Sequence, residues 1–251
     1  MLKWIAGLVV VVLAVMIVPA AVSQVESAQP VFTFVSQFQV PRANWAAYSE
    51  DSEKSIVPIL EKLTADGTIV SWSTFEQLVH TPDGYTHGAA WSSSTISGLT
   101  KVLDEVRKNG PRPGQIAATK HEDYLMQTRM SHPGSGNAAY LRVICSNTKP
   151  DKPEAFTAML KKLLVPTFEE QLKKGVASYW GVDEQYVNTS APSTRCVVIT
   201  YPDAEGMDKW ATAINTTMGK WSPAERAEYI SATVADSRRD IMARITHSGH
   251  K

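Results

Sequence analysis

The chain repeats itself. Sliding residues 31–108 forward by 108 positions, without a gap, sets Val57-Pro58 on Val165-Pro166, Glu61 on Glu169, Gly67 on Gly175 and Trp72 on Trp180. The same offset sets Glu76-Gln77 on Glu184-Gln185, Val79 on Val187, Thr81 on Thr189 and Gly98 on Gly206. Solenoid periods run about 20–50 residues, so a period this long marks two copies of one folded unit. The 251 residues leave room for two units of about 100 residues each. We place the first unit at residues 31–131 and the second at 138–247. The turn-forming stretch His132 to Gly136 lies between them.

Each unit reads as β-α-β-β-α-β. Residues 31–40 are β-branched and aromatic and close on Pro41, a strand. Residues 44–65 carry apolar side chains at helical spacing, and Asp66-Gly67 ends them with a residue suited to a left-handed cap. Pro58 and Pro166 fall inside their helices, so a kink or a break into two helices is expected there. Residues 68–80 and 85–93 read as strands around the turn Thr81-Pro82-Asp83-Gly84. A helix over 95–108 and a strand over 123–131 complete the unit. The second copy predicts strands at 138–146, 176–188, 194–201 and 240–247 and helices at 153–174 and 204–219. An added helix is expected from Ser222-Pro223 to about Ala235.

The first residues have a different character. Lys3 precedes an apolar run from Ile5 to Val18, followed by Pro19 and the small residues Ala20 to Ser23. A positive start, an apolar core and small residues at the end describe a secretory signal peptide over residues 1–23, cleaved after Ser23. The expectation is a secreted or periplasmic protein; a retained membrane anchor is the alternative, and only it would give the chain a membrane partner. Lys+Arg and Asp+Glu number 25 each, so the charge balance points away from a nucleic-acid partner, which needs a basic patch. Asn188-Thr189-Ser190 and Asn215-Thr216-Thr217 match the glycosylation sequon, which matters only in a eukaryotic secretory pathway.

The order β-α-β-β-α-β is the ferredoxin-like split arrangement. Two such copies in one chain resemble the dimeric α/β-barrel (ferredoxin-like) superfamily, and in particular exported bacterial members of unassigned function. The residues that carry the resemblance are Val57-Pro58-x-x-Glu61 with Val165-Pro166-x-x-Glu169, the Gly67 and Gly175 breaks, and Trp72-x-x-x-Glu76 with Trp180-x-x-x-Glu184. The resemblance implies an α+β fold in which two tandem repeats close one pseudo-dimeric barrel, so a monomer with an internal pseudo-dimer is expected. That superfamily holds small-molecule monooxygenases, lactone isomerases and haem enzymes, so membership chooses no chemistry and names no cofactor.

Strand alternation sorts candidate side chains by face. Leu141, Val143, Cys145, Cys196, Val198 and Thr200 share one face, mostly apolar, and are expected to pack under the helices. The opposite face, with Arg142 and Arg195, and on other strands Trp72, Glu76, His80, His87, Arg129 and Glu184, is then expected to line the barrel lumen as a ligand pocket. Glu76, His80 and His87 form the best cluster for acid–base work or a metal. The second copy has Glu184 with Asn188 and Arg195 at those places. The site would therefore be confined to the first half, unless Arg142 and Arg195 bind an anion in the second. The competing expectation is that Glu76 and Glu184 bond Arg side chains inside the barrel, with the histidines at its rim. His121 and Asp123 match Arg238 and Asp240, which argues for an ion pair in each copy. Glycine-rich phosphate loops, Cys-x-x-Cys, His-Glu-x-x-His and Gly-x-Ser-x-Gly are absent. A binding protein for a small organic molecule or partner is the leading reading. The other is a monooxygenase- or isomerase-like enzyme using a Glu/His site in the first repeat.

Cys145 and Cys196 are the two cysteines of the chain. Their places, near the end of one strand and the start of its antiparallel neighbour, favour a disulfide, with two buried thiols as the alternative.

Overall fold

The computed structural model of the chain describes residues 30–110, 112–149, 154–187 and 194–251. The apolar N-terminal segment and the sequon at Asn188 lie outside them. The first half runs β1 (Val31–Gln39), α1 (Trp45–Ser55), α2 (Val57–Ala65), β2 (Ser71–Gln77), β3 (His87–Ser93), α3 (Ile96–Lys108), a short α4 (Pro113–Ile116) and β4 (Lys120–Pro133). The second runs β5 (Tyr140–Asn147), α5 (Ala155–Leu163), α6 (Val165–Lys173), β6 (Tyr179–Gln185), β7 (Thr194–Tyr201), α7 (Ala204–Gly219), α8 (Pro223–Ser231) and β8 (Arg239–His250). The long helix of each half does break ahead of its proline, at Ile56 and Leu164. Proline offers no N–H to the preceding turn and its ring collides with the carbonyl four residues back.

All eight strands close one antiparallel barrel in the order β1-β3-β2-β8-β5-β7-β6-β4. The two halves meet at the seams β2–β8 and β4–β6, so the last strand of each half completes the other half's sheet. The pairings recur at the 108-residue offset: Phe34 opposes Trp91 as Arg142 opposes Ile199, and Trp72 opposes Trp91 as Trp180 opposes Ile199. Caps recur as well. Thr95 accepts from Gly98 N at 3.1 Å, and Asp203 accepts from Gly206 N at 2.7 Å. A Cβ on Gly98 or Gly206 would stand 2.6 Å from the Thr68 or Val176 carbonyl oxygen, which is why each helix touches its sheet through a glycine.

The two sheet faces are the reverse of the expectation. Trp180, Val197, Ile199, Tyr140 and Ile144 pack with Phe168, Leu160 and Trp210 of the helices, as do Trp72, Trp91, Phe32 and Phe34 with Leu60 and Leu99. Leu141, Val143 and Val198 instead join Phe75, Ala243, Val35, Ala90 and Ile245, a cluster drawn from six strands and no helix. That cluster is the lumen. Both faces are apolar, so polarity could not rank them. Most lumen side chains are small or medium-sized, Phe75 apart, since an eight-stranded barrel leaves an interior just wide enough for side chains to fill, while Trp72, Trp91 and Trp180 lie between sheet and helices. The larger core lies in the second half, around Met159, Leu160, Phe168, Trp180 and Trp210.

Candidate functional site

Arg129, Arg142, Arg195, Trp72, Glu76, His87 and Glu184 therefore stand on the outer, helix-covered face, not in the lumen; Arg129, Arg195 and Glu184 meet in one group and Glu76 opposes His87 in another, but one site does not hold them all. Trp72 is buried, with its indole N–H unpartnered beside Gly249. Arg142 Nη2 donates to Asp240 Oδ2 at 2.8 Å, and Arg238 does the same. Arg195, 1% exposed, donates to Thr157 Oγ1 at 2.5 Å and to Glu184 Oε2 at 3.3 Å; Arg129 Nε reaches the same Glu184 oxygen at 2.6 Å. Glu184 thus bonds Arg195 of its own half and Arg129 of the first, as the competing expectation has it, though outside the barrel.

At the matching place in the first half stand Glu76 and His87, opposite one another on β2 and β3. His87 is buried, bonded through Nδ1 to Thr86 Oγ1 at 2.9 Å, and its Nε2 has no partner. Burial, and then the charge of His80, push its pKa down to about 4. His80 is exposed and packs on the Trp45 ring at 4.9 Å; the same ring meets His87 at 5.4 Å and the Arg42 guanidinium at 5.3 Å. Among the described residues, no three His, Cys, Asp or Glu side chains are grouped to hold a metal ion.

The open space lies further along the same face. A cavity of about 250 Å³ separates the first half's sheet from α1, α3 and α4. Its floor is Ser36, Phe38, Ala89 and Trp91, with His121 and Asp123 at one side. These are small or flat side chains. Its roof includes Tyr48, Asp51 and Ser52 of α1, Val102 of α3, and Arg112, which leads into α4.

Arg112 is the notable wall. Its side chain is only 6% exposed, and its Nε and Nη1 have no hydrogen-bond partner. Asp51 and Tyr48 are the charged and titratable neighbours; burial drives the guanidinium pKa down while both of them oppose the shift. Asp51 Oδ2 accepts from Gly114 N at 2.5 Å, which ties α4 to α1. Burial likewise raises the Tyr48 phenol well above its ordinary range, against the pull of Arg112. A buried guanidinium with idle N–H groups is costly unless an acceptor meets it.

Across the cavity, His121 Nε2 lies 2.8 Å from Ser36 Oγ and 2.8 Å from Asp123 Oδ1. Its ring stacks on Phe38 at 4.3 Å and 3°. Both oxygens meet one nitrogen, so this is not the Ser-His-Asp relay, in which serine and carboxylate use opposite ring nitrogens. It is a histidine held by a carboxylate at the cavity edge.

Sequence reasoning found His121 and Asp123 but read them as structural; Arg112, Tyr48, Asp51 and Ser36 it missed. The signal was in the offset. Ser36, Tyr48, Asp51, Ser52, Ala89 and Val102 fall on Ile144, Phe156, Met159, Leu160, Val197 and Trp210, so small or polar lining in one copy is large and apolar in the other.

The superfamily that the sequence resembles includes haem enzymes, which raises the question of whether either half fits the macrocycle. In the second half, Phe156, Met159 and Trp210 occupy the space between sheet and helices. The first-half cavity falls below the roughly 300 Å³ at which drug-sized pockets begin. The residues present do not fit haem.

No protein-family profile and no curated protein match the chain. Solved structures do. A protein from Lactobacillus acidophilus NCFM, provisionally described as a monooxygenase, superposes with a TM-score of 0.64 at 11% identity over 88% of this chain and 96% of its own. An anthrone oxidase-like protein gives 0.58 at 8% identity over 90% and 94%. A chlorite dismutase variant from Candidatus Nitrospira defluvii gives 0.55 at 12% identity over 86% and 91%. The chain has the dimeric α/β-barrel fold these proteins share.

Proposed function

We propose that the chain, built as one unit repeated in tandem, binds a small aromatic organic anion in the first-half cavity and moves a proton on it through His121. The single observation that carries this is Arg112: a buried cation whose Nε and Nη1 lack partners, at the wall of a mainly apolar, aromatic-floored cavity whose lining also holds Asp51, Arg107, His121 and Asp123. Placing an acidic oxygen there makes charge-assisted hydrogen bonds and removes the cost of the idle donors. Phe38 and Trp91 offer ring faces to an arene. His121, fixed by Asp123 and Ser36, stands where a ligand hydroxyl would be acidified.

The test is calorimetric titration of the chain with benzoate, 1-naphthoate and the uncharged naphthalene methanol. Binding of an aromatic carboxylate, weakened about tenfold or more by Arg112→Leu, is expected, since a hydrogen bond to a charged group is worth about 1.5–3 kcal/mol. Equal affinity for the uncharged arene, or an unmoved affinity in Arg112→Leu, overturns it. The enzyme reading is favoured by the proton-carrying His121 at the cavity edge. Its readout is dioxygen uptake with a hydroxylated anthrone-type arene, abolished by His121→Ala; no uptake leaves a binding protein.

A further inference from the structure

A second chemically loaded place lies in the lumen of the second half, on the opposite face from the cavity. Cys145 and Cys196 oppose one another on β5 and β7 and form a disulfide with Cα atoms 4.0 Å apart. Both belong to the lumen face, since Leu141, Val143 and Val198, two and four residues away, are in the lumen cluster. The row continues on either side. Arg239 of β8 is the direct partner of Cys145, and Asp183 of β6 is the direct partner of Cys196.

The two sulfurs are not equivalent. Cys145 is half-buried with exposed Arg239 beside it, whereas Cys196 is 5% exposed and Asp183 7%. Thr128 bonds the Asp183 carboxyl, and its Oδ1 has no partner. Directly opposed strand residues on one face hold their Cβ atoms about 4.5–5.5 Å apart, so the carboxyl stands next to the buried sulfur. The first half has Gln37 and Gly88 at the places of the two cysteines, so nothing in the barrel's closure requires this arrangement.

We propose that Cys145–Cys196 is a redox-active thiol–disulfide exchange site, attacked at Cys145 and served by Asp183 as the proton donor to Cys196. An external dithiol is the reductant. Its thiolate attacks Cys145 Sγ; a mixed disulfide forms, the Cys145–Cys196 bond breaks, and its electron pair leaves on Cys196. Asp183 gives its proton to that thiolate. The second sulfur of the dithiol then displaces Cys145 Sγ, which leaves as a thiolate beside Arg239, a cation that favours it. The protein disulfide gains two electrons and the dithiol is oxidised to its own disulfide. Asp183 suits the role because burial holds its pKa up at about 6, so it keeps a proton that an exposed carboxylate would have lost. The other titratable groups facing the row are Tyr179, beside Asp183, and Tyr124, which feels both Arg239 and Glu122.

The folded full chain is treated with millimolar dithiothreitol between pH 5.5 and 8, without denaturant, and thiols are counted by alkylation and mass spectrometry. Reduction within minutes is expected; a disulfide that survives until the chain is denatured overturns the proposal. With glutathione the trapped adduct is expected on Cys145, and an adduct confined to Cys196 overturns the direction of attack. Asp183→Asn is expected to slow reduction about tenfold or more near pH 6, a modest general-acid effect, and by less toward pH 8. A ratio near one throughout removes Asp183 from the step. If Asp183→Asn does not fold, the wild-type rate per thiolate decides the same point: it must fall as pH rises through about 6, and a flat profile overturns the role.

Discussion

Over the first half's sheet, α1 and α3 stand off behind Ser52, Val102 and Tyr48 and leave a cavity; over the second, Leu160, Trp210 and Phe156 fill the matching volume. Strand registers and the caps of α3 and α7 agree between the halves, so over the sheet the difference lies in side chains, while the short α4 stands where the second half has the longer α8. The electrostatics differ in the same way. Glu184 neutralises the buried Arg195, while at the same two positions Glu76 faces an uncharged His87. Trp180 donates to Glu169, which also holds His132, whereas the Trp72 indole has no partner. The second half is filled between sheet and helices and the first keeps empty space there, while each half holds buried polar atoms without a partner.

That contrast breaks first at Trp210. Trp210→Ala is expected to cost about 3–5 kcal/mol in urea unfolding, the usual range for deleting a buried aromatic. Val102→Ala, its first-half counterpart beside existing space, is expected to cost clearly less; equal losses would mean the halves are packed alike. Next come the two glutamates. Glu184→Gln leaves the buried Arg195 guanidinium short of its counter-charge and is expected to cost about 3 kcal/mol, whereas Glu76→Gln strands no charge and should stay under about 1 kcal/mol.

The pH dependence sharpens the contrast, because each half carries one buried group with the opposite sign. His87 has its pKa lowered from 6.5 to about 4. Its contribution to stability is full above pH 6.5 and is lost as pH falls through 4. Asp183 has its pKa raised from 3.8 to about 6, so its contribution is full below pH 3.8 and is lost as pH rises through 6. His87→Phe should therefore flatten the acid limb of a Tm-against-pH curve and Asp183→Asn the neutral limb. The smallest effect is expected for His121→Ala, a half-exposed residue at the cavity edge, with a stability change within about 0.5 kcal/mol; a large loss would make His121 a structural pin rather than a functional group.

Much of the fold was legible because it rests on local chemistry that the offset repeats. Pro58 and Pro166 break their helices wherever the chain packs, and Gly67 and Gly175 adopt φ of +80° and +69°, which a Cβ would disfavour. The Cys145–Cys196 bridge was legible from strand order, since topology alone sets the end of one strand beside the start of its neighbour. The site was legible only in part. Arg112 sits between prolines in a stretch that reads as a chain breaker, and the short helix after it is too brief to leave a periodic signal.

Alternation along a strand states which residues share a face, and the sequence determined that except past the bulges on β8 and β4, where the register shifts. It could not state which face turns inward, because both are apolar and the answer depends on the side to which the helices cross over. Only the tertiary structure decided that Trp72, Trp91 and Trp180 lie beneath helices while Val35, Ala90 and Ala243 close the lumen. With that choice went both candidate sites: Arg112 and His121 came to share a cavity, and Asp183 came to lie beside the disulfide. Contacts between residues distant in the chain are set by how whole faces pack, and no local pattern records them.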